Sequence, residues 1–191
     1  MVLPTGYMAP IAYYQVLLHT KDAVAIEQWE SFPKQTYRNR CCIAGTNGVQ
    51  TLSIPVGKCE SKQYTRDVRI SYQTKWQHQH WMALVSAYRH TPYFPYYEDL
   101  FRPFYEQPYE YLIDYNEALN DLILRLLGKP TRIERTTVWQ GGDLEKYWHY
   151  PAGETGTPYY QVFADKQGYK DNLSIVDLLF NMGNETLLYI R

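Results

Sequence analysis

The clearest structural signal in the chain is the segment Arg40-Cys41-Cys42-Ile43-Ala44-Gly45-Thr46-Asn47-Gly48-Val49-Gln50-Thr51-Leu52-Ser53-Ile54-Pro55-Val56. Two runs typical of β-strands, Asn39–Ala44 and Gln50–Val56, flank the triplet Thr46-Asn47-Gly48. An Asn-Gly pair between such runs is a strong hairpin signal, because both residues tolerate the left-handed backbone that tight turns require. The sequence therefore predicts a β-hairpin here, with short polar residues at its tip.

Outward from the hairpin, the spacing of apolar residues predicts short strands and several helices. The expected strands are Val2–Thr5, Ala23–Ile26, Asp67–Tyr72 beside the hairpin, and Arg132–Trp139. The expected helices are Pro10–Thr20, Thr74–His90 with Thr74 as its cap, Tyr96–Tyr105 broken at Pro103, Pro108–Leu127 ending before Gly128, and Ser174–Phe180 with Gly183 at its stop. Ser174 followed by Asp177 fits a capping box. Loops are expected at Gly141-Gly142 and Pro151–Pro158. Together these elements predict a mixed α/β (α+β) fold, a single domain over residues 1–191 with a hairpin-containing sheet packed by several helices.

Composition excludes several classes of function. A formal net charge of -1 argues against general nucleic-acid binding, which needs a net basic face. The three cysteines, two of them adjacent at Cys41 and Cys42, lack the paired spacing of a zinc site and favour reduced thiols. Met1–Pro10 has no signal-peptide pattern, and no stretch reaches transmembrane length. We expect a cytoplasmic protein with no membrane span, no nucleic-acid partner and no metal.

A basic region surrounds the hairpin. No acidic residue lies between Glu30 and Glu60, whereas four basic ones do. Arg38 and Arg40 stand two apart on a chain entering a strand, so both are expected on one face, where two guanidinium groups can fork onto a phosphate or diphosphate. Lys34 is close enough in sequence to join them. The alternative is an internal ion pair with Glu27, Glu30 or the acidic segment Tyr97–Asp121, which holds seven acids against Arg102.

His80 is the candidate for proton transfer. It lies on the predicted helix near the core-facing edge, so it is either a buried structural imidazole or a general acid or base at a helix-walled cleft. His78 is two residues away and diverges from it around a helix, so the pair does not form a metal site. The chain has neither a phosphate-binding glycine loop nor a serine-nucleophile elbow. Its 20 tyrosines suit either a core with a wet rim or a sugar-stacking cleft.

Long runs of the chain resemble the WbqC-like protein family, and within it the Bacteroidetes-type members. The resemblance rests on Tyr7–Tyr14, Lys34–Arg40, Leu52–Val56, Arg66–Ile70, Trp76, His80-Trp81, Ser86–Tyr88, Thr91–Phe94, Asn116, Tyr160–Phe163 and Asn172–Gly183. It implies a role in bacterial surface polysaccharide biosynthesis, of the O-antigen or lipopolysaccharide type. The matching motifs fall on the basic region, on the start of the Trp76/His80 helix, and on the closing helix with Asp177 and Asn181.

Three hypotheses follow. The first is a transferase that carries out acyl or amide transfer to an amino-sugar nucleotide, with His80 moving a proton. The second is a non-catalytic nucleotide-sugar or glycan binding component, and the third is a structural protein with no ligand. No cofactor and no oligomeric state are assigned. The candidate ligand-binding residues are Lys34, Tyr37, Arg38, Asn39, Arg40, Trp76, Tyr88, Asp177 and Asn181.

Overall fold

Two small sheets carry the strands of this mixed α/β fold. The structure, a computed structural model, describes residues 1–58, 62–131, 133–141 and 157–190. Within these residues, β1 (Val2–Pro4), β2 (Ala25–Glu27) and β5 (Glu134–Arg135) form a parallel sheet in the order β1-β2-β5. Strands β3 (Arg40–Gly45) and β4 (Gly48–Ser53) form the antiparallel hairpin. The fold class expected from the sequence is confirmed.

The first sheet is built on a β-α-β unit. Helix α1 (Ile11–His19) connects β1 to β2, and Val2 pairs with Ala25 in parallel register. Of the predicted strand Arg132–Trp139, the described residues 133–139 contain the two-residue strand β5, which pairs with β2, and residue 132 lies outside the described residues. Residues that follow β1 therefore lie beside the parallel sheet, where α/β folds often place ligands.

The hairpin is tight and in the predicted place. Arg40 pairs with Ser53 and Gly45 pairs with Gly48, so only Thr46 and Asn47 lie between the paired residues. Positive φ falls on Gly48, at +120°, and not on Asn47. The turn is thus not the type in which both central residues are left-handed, although the glycine supplies the conformation that the sequence signal implies.

Helices cover the hairpin and fill the middle of the chain. They are α2 (Trp76–Tyr88), α3 (Phe94–Phe101), α4 (Pro103–Glu106) and α5 (Leu112–Leu126). The predicted break before Pro103 is confirmed, as expected for a residue without a backbone N–H. Gly128 ends α5 with a φ of +67°, and its N–H donates to the carbonyl of Arg125.

The C-terminal part of the chain contains three short helices and a cluster of packed aromatic rings. They are α6 (Ala164–Gln167), α7 (Ile175–Met182) and α8 (Thr186–Tyr189). Phe180 on α7 meets the rings of Tyr88, Phe94 and Phe101 edge-on. A Cβ on Gly183 would lie 2.2 Å from the Tyr93 ring, so only glycine fits at this helix end. No helix of the described residues is long and apolar enough to cross a membrane.

Four local predictions were wrong or fall outside the structure. Asp67–Tyr72 forms no ladder: Ile70 makes a single bridge to Val56, and Thr65–Asp67 is a 3-10 turn. Thr74 does not cap α2, which starts after Lys75 without a side-chain cap. Asp177 makes no capping box, although Ser174 does accept a hydrogen bond from the Val176 N–H. The predicted loops at Gly141-Gly142 and Pro151–Pro158 lie mostly outside the described residues.

Candidate functional site

Arg38 is an internal ion-pair residue. Its side chain is 1% exposed, and its Nε and NH2 donate to the two carboxylate oxygens of Glu30 at 2.6 and 2.7 Å. Burial raises the pKa of the Glu30 carboxyl, and the Arg38 guanidinium opposes that rise. The guanidinium therefore compensates a buried carboxylate, which is the internal alternative that the sequence left open. The Arg38 guanidinium, which was expected to bind a phosphate together with Arg40, is therefore already paired with Glu30.

Arg40 is placed very differently, although it is only two residues away. It is half-buried at the start of β3, and its Nε is buried with no hydrogen-bond partner among the described residues. None of the ion pairs within the described chain includes it. Its cross-strand neighbour is Ser53, and next along the same face Cys42 lies 3.7 Å (Sγ to Oγ1) from Thr51. We call Arg40, Cys42, Thr51 and Ser53 the hairpin face.

The other residues of the basic region divide between structure and surface. Asn39 is buried and its Nδ2 donates to the carbonyl of Ile54, so it ties the entry of β3 to the exit of β4. Tyr37 is half-buried, and burial raises its pKa to about 12, with a contribution from the neighbouring Cys42. Lys34 is exposed in the loop before the hairpin. Tyr37 thus interacts with Cys42 of the hairpin face, Lys34 lies at the surface, and Asn39 is part of the fold.

His80 belongs to a buried aromatic cluster. Its Nδ1 lies 2.9 Å from the hydroxyl of Tyr7, and its ring packs against those of Tyr7 and Trp76 at 5.7 and 5.1 Å between centroids. Burial lowers the pKa of His80 to about 4, and a hydrogen bond to the backbone of Ser53 opposes that shift. Trp76, one of the candidate ligand-binding residues, is 2% exposed, and its indole N–H has no partner in the described chain. We call Tyr7, Trp76 and His80 the His80 cluster.

Asp177 belongs to a second buried cluster, near the other end of α2. Its two carboxylate oxygens accept from the hydroxyls of Tyr88 at 2.7 Å and Tyr159 at 2.6 Å. Burial raises the pKa of Asp177 to about 6, against the opposing effect of both tyrosines and the backbone of Ala44. Asn181 Nδ2 donates to the Asp177 carbonyl one turn away. We call Tyr88, Tyr159, Asp177 and Asn181 the Asp177 cluster.

The predicted site residues therefore do not form one site. Trp76 and His80 meet under the Ser53 end of the hairpin, whereas Tyr88, Asp177 and Asn181 meet under its Ala44 end. Neither buried cluster is a surface on which a sugar could stack, because its rings already pack against the core. Among the described residues, no group of His, Cys, Asp or Glu is arranged to hold a metal ion.

Several partners in these clusters were not singled out from the sequence. Glu30 was considered only as one of several possible ion-pair partners, and Tyr7 lay inside a quoted motif without an assigned role. Tyr159 had no local signal, because it reaches Asp177 from 18 residues away. A separate polar cavity beside the residues that follow β1, lined by Thr5, Gly6 and one face of α5, was missed entirely.

Comparison with known proteins matches this chain to one family. The sequence model of the WbqC-like protein family matches residues 6–150, about three quarters of the chain. The chain belongs to the WbqC-like protein family. This assignment covers the hairpin face and the His80 cluster, while most of the Asp177 cluster lies beyond the matched residues.

A curated relative extends the similarity to the whole chain. The uncharacterised protein Rv1507c of Mycobacterium tuberculosis is 25% identical over 224 aligned positions, which cover 100% of this chain and 96% of the relative. No solved structure matches the chain.

Proposed function

We propose that this WbqC-like protein binds an anionic sugar intermediate, a nucleotide sugar or a related glycan precursor, in bacterial surface polysaccharide biosynthesis. The hairpin face is the proposed binding surface, with Arg40 as its anchor. Lys34 and Tyr37 are proposed to contribute from the loop before β3. The pathway is inferred from the association of the WbqC-like family with O-antigen-type polysaccharide clusters.

The proposal rests on one observation, the buried Nε of Arg40 that lacks a hydrogen-bond partner among the described residues. A buried polar atom in a native protein normally has a hydrogen-bond partner, and a charged one left without a partner is costly. Arg40 Nε has none among the described residues. Phosphate oxygens would satisfy it with charge-assisted hydrogen bonds, for which a planar guanidinium is well suited.

The local charge balance also favours an anion. The sequence from Ser31 to Lys58 has no acidic residue, and the acid that precedes it, Glu30, is neutralised by Arg38. The positive charges of Lys34 and Arg40 are therefore not matched by a carboxylate within this stretch. An anion that binds Arg40 would therefore meet no acidic residue contributed by this stretch of the chain.

Binding without catalysis fits the geometry better than acyl or amide transfer does. A general base works best with a pKa near the operating pH and a nitrogen that can reach the substrate. His80 has a pKa near 4, and its ring is engaged by Tyr7 and by the backbone of Ser53. The transferase hypothesis would need another proton-transfer group next to the hairpin face.

Thermal unfolding with UDP and UDP-N-acetylglucosamine tests the proposal. A ligand that binds only the folded state raises the melting temperature, by several degrees when its concentration is about 100 times the dissociation constant. We expect both compounds to stabilise the wild type and to have little effect on Arg40→Ala. The reason is that alanine removes the anchoring guanidinium and leaves the hairpin register intact.

Arg89→Ala is the matched control, because Arg89 is exposed at the end of α2, where its Nε donates to the neighbouring His90. This variant should respond to UDP like the wild type. Equal stabilisation of Arg40→Ala and wild type would remove the hairpin face as the site. Absence of stabilisation by either compound would favour the purely structural hypothesis.

A further inference from the structure

A second polar cleft lies between the parallel sheet and α5. It has a volume of about 400 Å³, within the size range of small-molecule sites. Thr5 and Gly6, directly after β1, form one side of it, and Ile26 and Ile133 are its apolar residues. The proposed function makes no use of this cleft, which is built from elements other than the hairpin.

Asn116 is the most informative residue of the cleft wall. Its side chain is 1% exposed, and its Nδ2 donates to Thr5 Oγ1 at 3.1 Å and to the Arg38 carbonyl at 2.8 Å. Its Oδ1 has no partner in the described part of the chain. Because the Nδ2 hydrogens are both used, Asn116 can offer the cleft only an acceptor. A ligand that satisfies it must bring a donor.

The charged groups of the cleft also favour a ligand that donates. Its lining contains three carboxylates, from Glu117, Asp121 and Glu134, against one guanidinium, that of Arg135. Arg135 is already engaged, with its Nε 2.7 Å from Glu117 and its NH2 2.5 Å from Asp114. These carboxylates raise the pKa of Arg135, so its charge is compensated within the protein. Asp121 and Glu134 are both exposed, and neither carboxylate forms an ion pair with a described residue.

The remaining polar groups favour an organic cation over a metal ion. No group of His, Cys, Asp or Glu in the described chain is arranged to hold a metal. Asn120 also lines the cleft. Its Oδ1 accepts a hydrogen bond from the Tyr14 hydroxyl at 2.8 Å, so the group it can offer a ligand is its Nδ2, a donor. Thr5 adds a hydroxyl that can donate as well as accept. Such a lining can hold a molecule that carries both an ammonium group and hydroxyl groups.

We infer that this cleft is a binding site for a small hydroxylated primary amine. Its ammonium group donates to Asn116 Oδ1 and is attracted by the carboxylates of Asp121 and Glu134. Its hydroxyl groups exchange hydrogen bonds with Thr5 and Asn120. The cleft lining and the hairpin face share no residue, so variants at the two sites can be tested separately.

An NMR titration with D-glucosamine and N-acetyl-D-glucosamine tests this inference. The two sugars share their hydroxyl frame, but acetylation removes the positive charge. We expect glucosamine to shift the backbone amide signals of Gly6 and Asn116, and to bind roughly tenfold more tightly than the acetylated sugar, because one or two ion pairs of modest strength are lost.

The double variant Asp121→Asn/Glu134→Gln should weaken glucosamine binding roughly tenfold and leave the acetylated sugar unaffected. Asp165→Asn/Glu185→Gln is its matched control, because it removes the same charge from exposed positions outside the cleft and should bind glucosamine normally. The inference is overturned by equal affinity for the two sugars, by glucosamine binding that the cleft variant leaves unchanged, or by the absence of shifts at Gly6 and Asn116.

Discussion

The two buried clusters under helix α2 rest on the same hairpin, yet they respond to burial in opposite directions. In the His80 cluster, burial lowers a pKa from 6.5 to about 4. In the Asp177 cluster, burial raises a pKa from 3.8 to about 6. Both groups are pushed towards their neutral forms, because a low-dielectric interior penalises charge whatever its sign.

Because the two pKa values shift in opposite directions, the two clusters change the free energy of unfolding in opposite directions as the pH falls. His80 stabilises the fold fully above pH 6.5, and this contribution is lost as the pH falls towards 4, because the unfolded chain binds the proton first. Asp177 does the reverse: its contribution is full below pH 3.8 and is lost as the pH rises through 6. Between pH 4 and 6 the two contributions largely cancel in the wild type. The pH dependence that one cluster gives to stability is therefore seen clearly only when the other cluster's titrating residue is replaced.

The largest expected effect comes from removing the donors to Asp177. Tyr88→Phe/Tyr159→Phe should lower the free energy of unfolding by about 3–5 kcal/mol at pH 8, because a buried carboxylate loses two charge-assisted hydrogen bonds. The loss should be much smaller at pH 4, where the carboxyl is neutral. Denaturant unfolding at the two pH values measures both, and the exposed Tyr160→Phe serves as the control. A loss that is equal at pH 4 and pH 8 would show that the hydroxyl groups do not stabilise the carboxylate charge.

The next effect comes from replacing the histidine. His80→Gln should gain about 3 kcal/mol relative to the wild type as the pH falls from 7 to 4, because only the wild type pays to keep a neutral imidazole there. Unfolding curves across this range give the difference directly, with other titrating groups cancelling. His90→Gln is the control, since His90 is exposed at the end of the same helix. A pH-independent difference between His80→Gln and wild type would contradict the lowered pKa.

Replacing Asp177 should have a slightly smaller effect on the free energy of unfolding, with the opposite dependence on pH. Asp177→Asn should lose roughly 2–3 kcal/mol relative to the wild type as the pH falls from 7 to 4, because the wild type regains the cost of its buried charge on protonation. The same unfolding series measures it, with the exposed Asp165→Asn as the control. If the free energies of unfolding of His80→Gln and Asp177→Asn, each relative to the wild type, changed in the same direction between pH 7 and pH 4, the opposite pKa shifts of the two clusters would be contradicted.

Local signals predicted the elements of the fold well where the information lies within a few residues. Asn47-Gly48 indicated the hairpin, Pro103 the break between α3 and α4, and Ser174 the cap of α7, and all three are confirmed. The strand predicted at Asp67–Tyr72 was wrong for a non-local reason. Its backbone groups are divided between two neighbours, with Ile70 N–H donating to Glu110 and Ser71 N–H to Pro55, so no regular ladder forms.

The surroundings of the candidate site residues could not be predicted from the sequence, because they depend on distant partners rather than on residue type. Arg38 and Arg40 look equivalent in sequence, yet Glu30 claims only the first of them. Asp177 looked like a helix-capping acid, but its hydrogen-bond donors come from 89 and 18 residues away. Neither residue spacing nor composition predicts hydrogen bonds between residues that are so far apart in the sequence.

The fold class, the hairpin and the main helices could be predicted from the amino-acid sequence, because turn chemistry, capping and apolar periodicity act between residues that are close in the chain. The resemblance to the WbqC-like family was equally visible, because it rests on matching residues. Three features emerge only in the folded chain: burial shifts the pKa values of His80 and Asp177 towards their neutral forms, Arg40 but not Arg38 has an Nε that is unpaired among the described residues, and Asn116 lines a polar cleft. They could not be predicted locally, because burial and pairing depend on which distant segments the fold brings together.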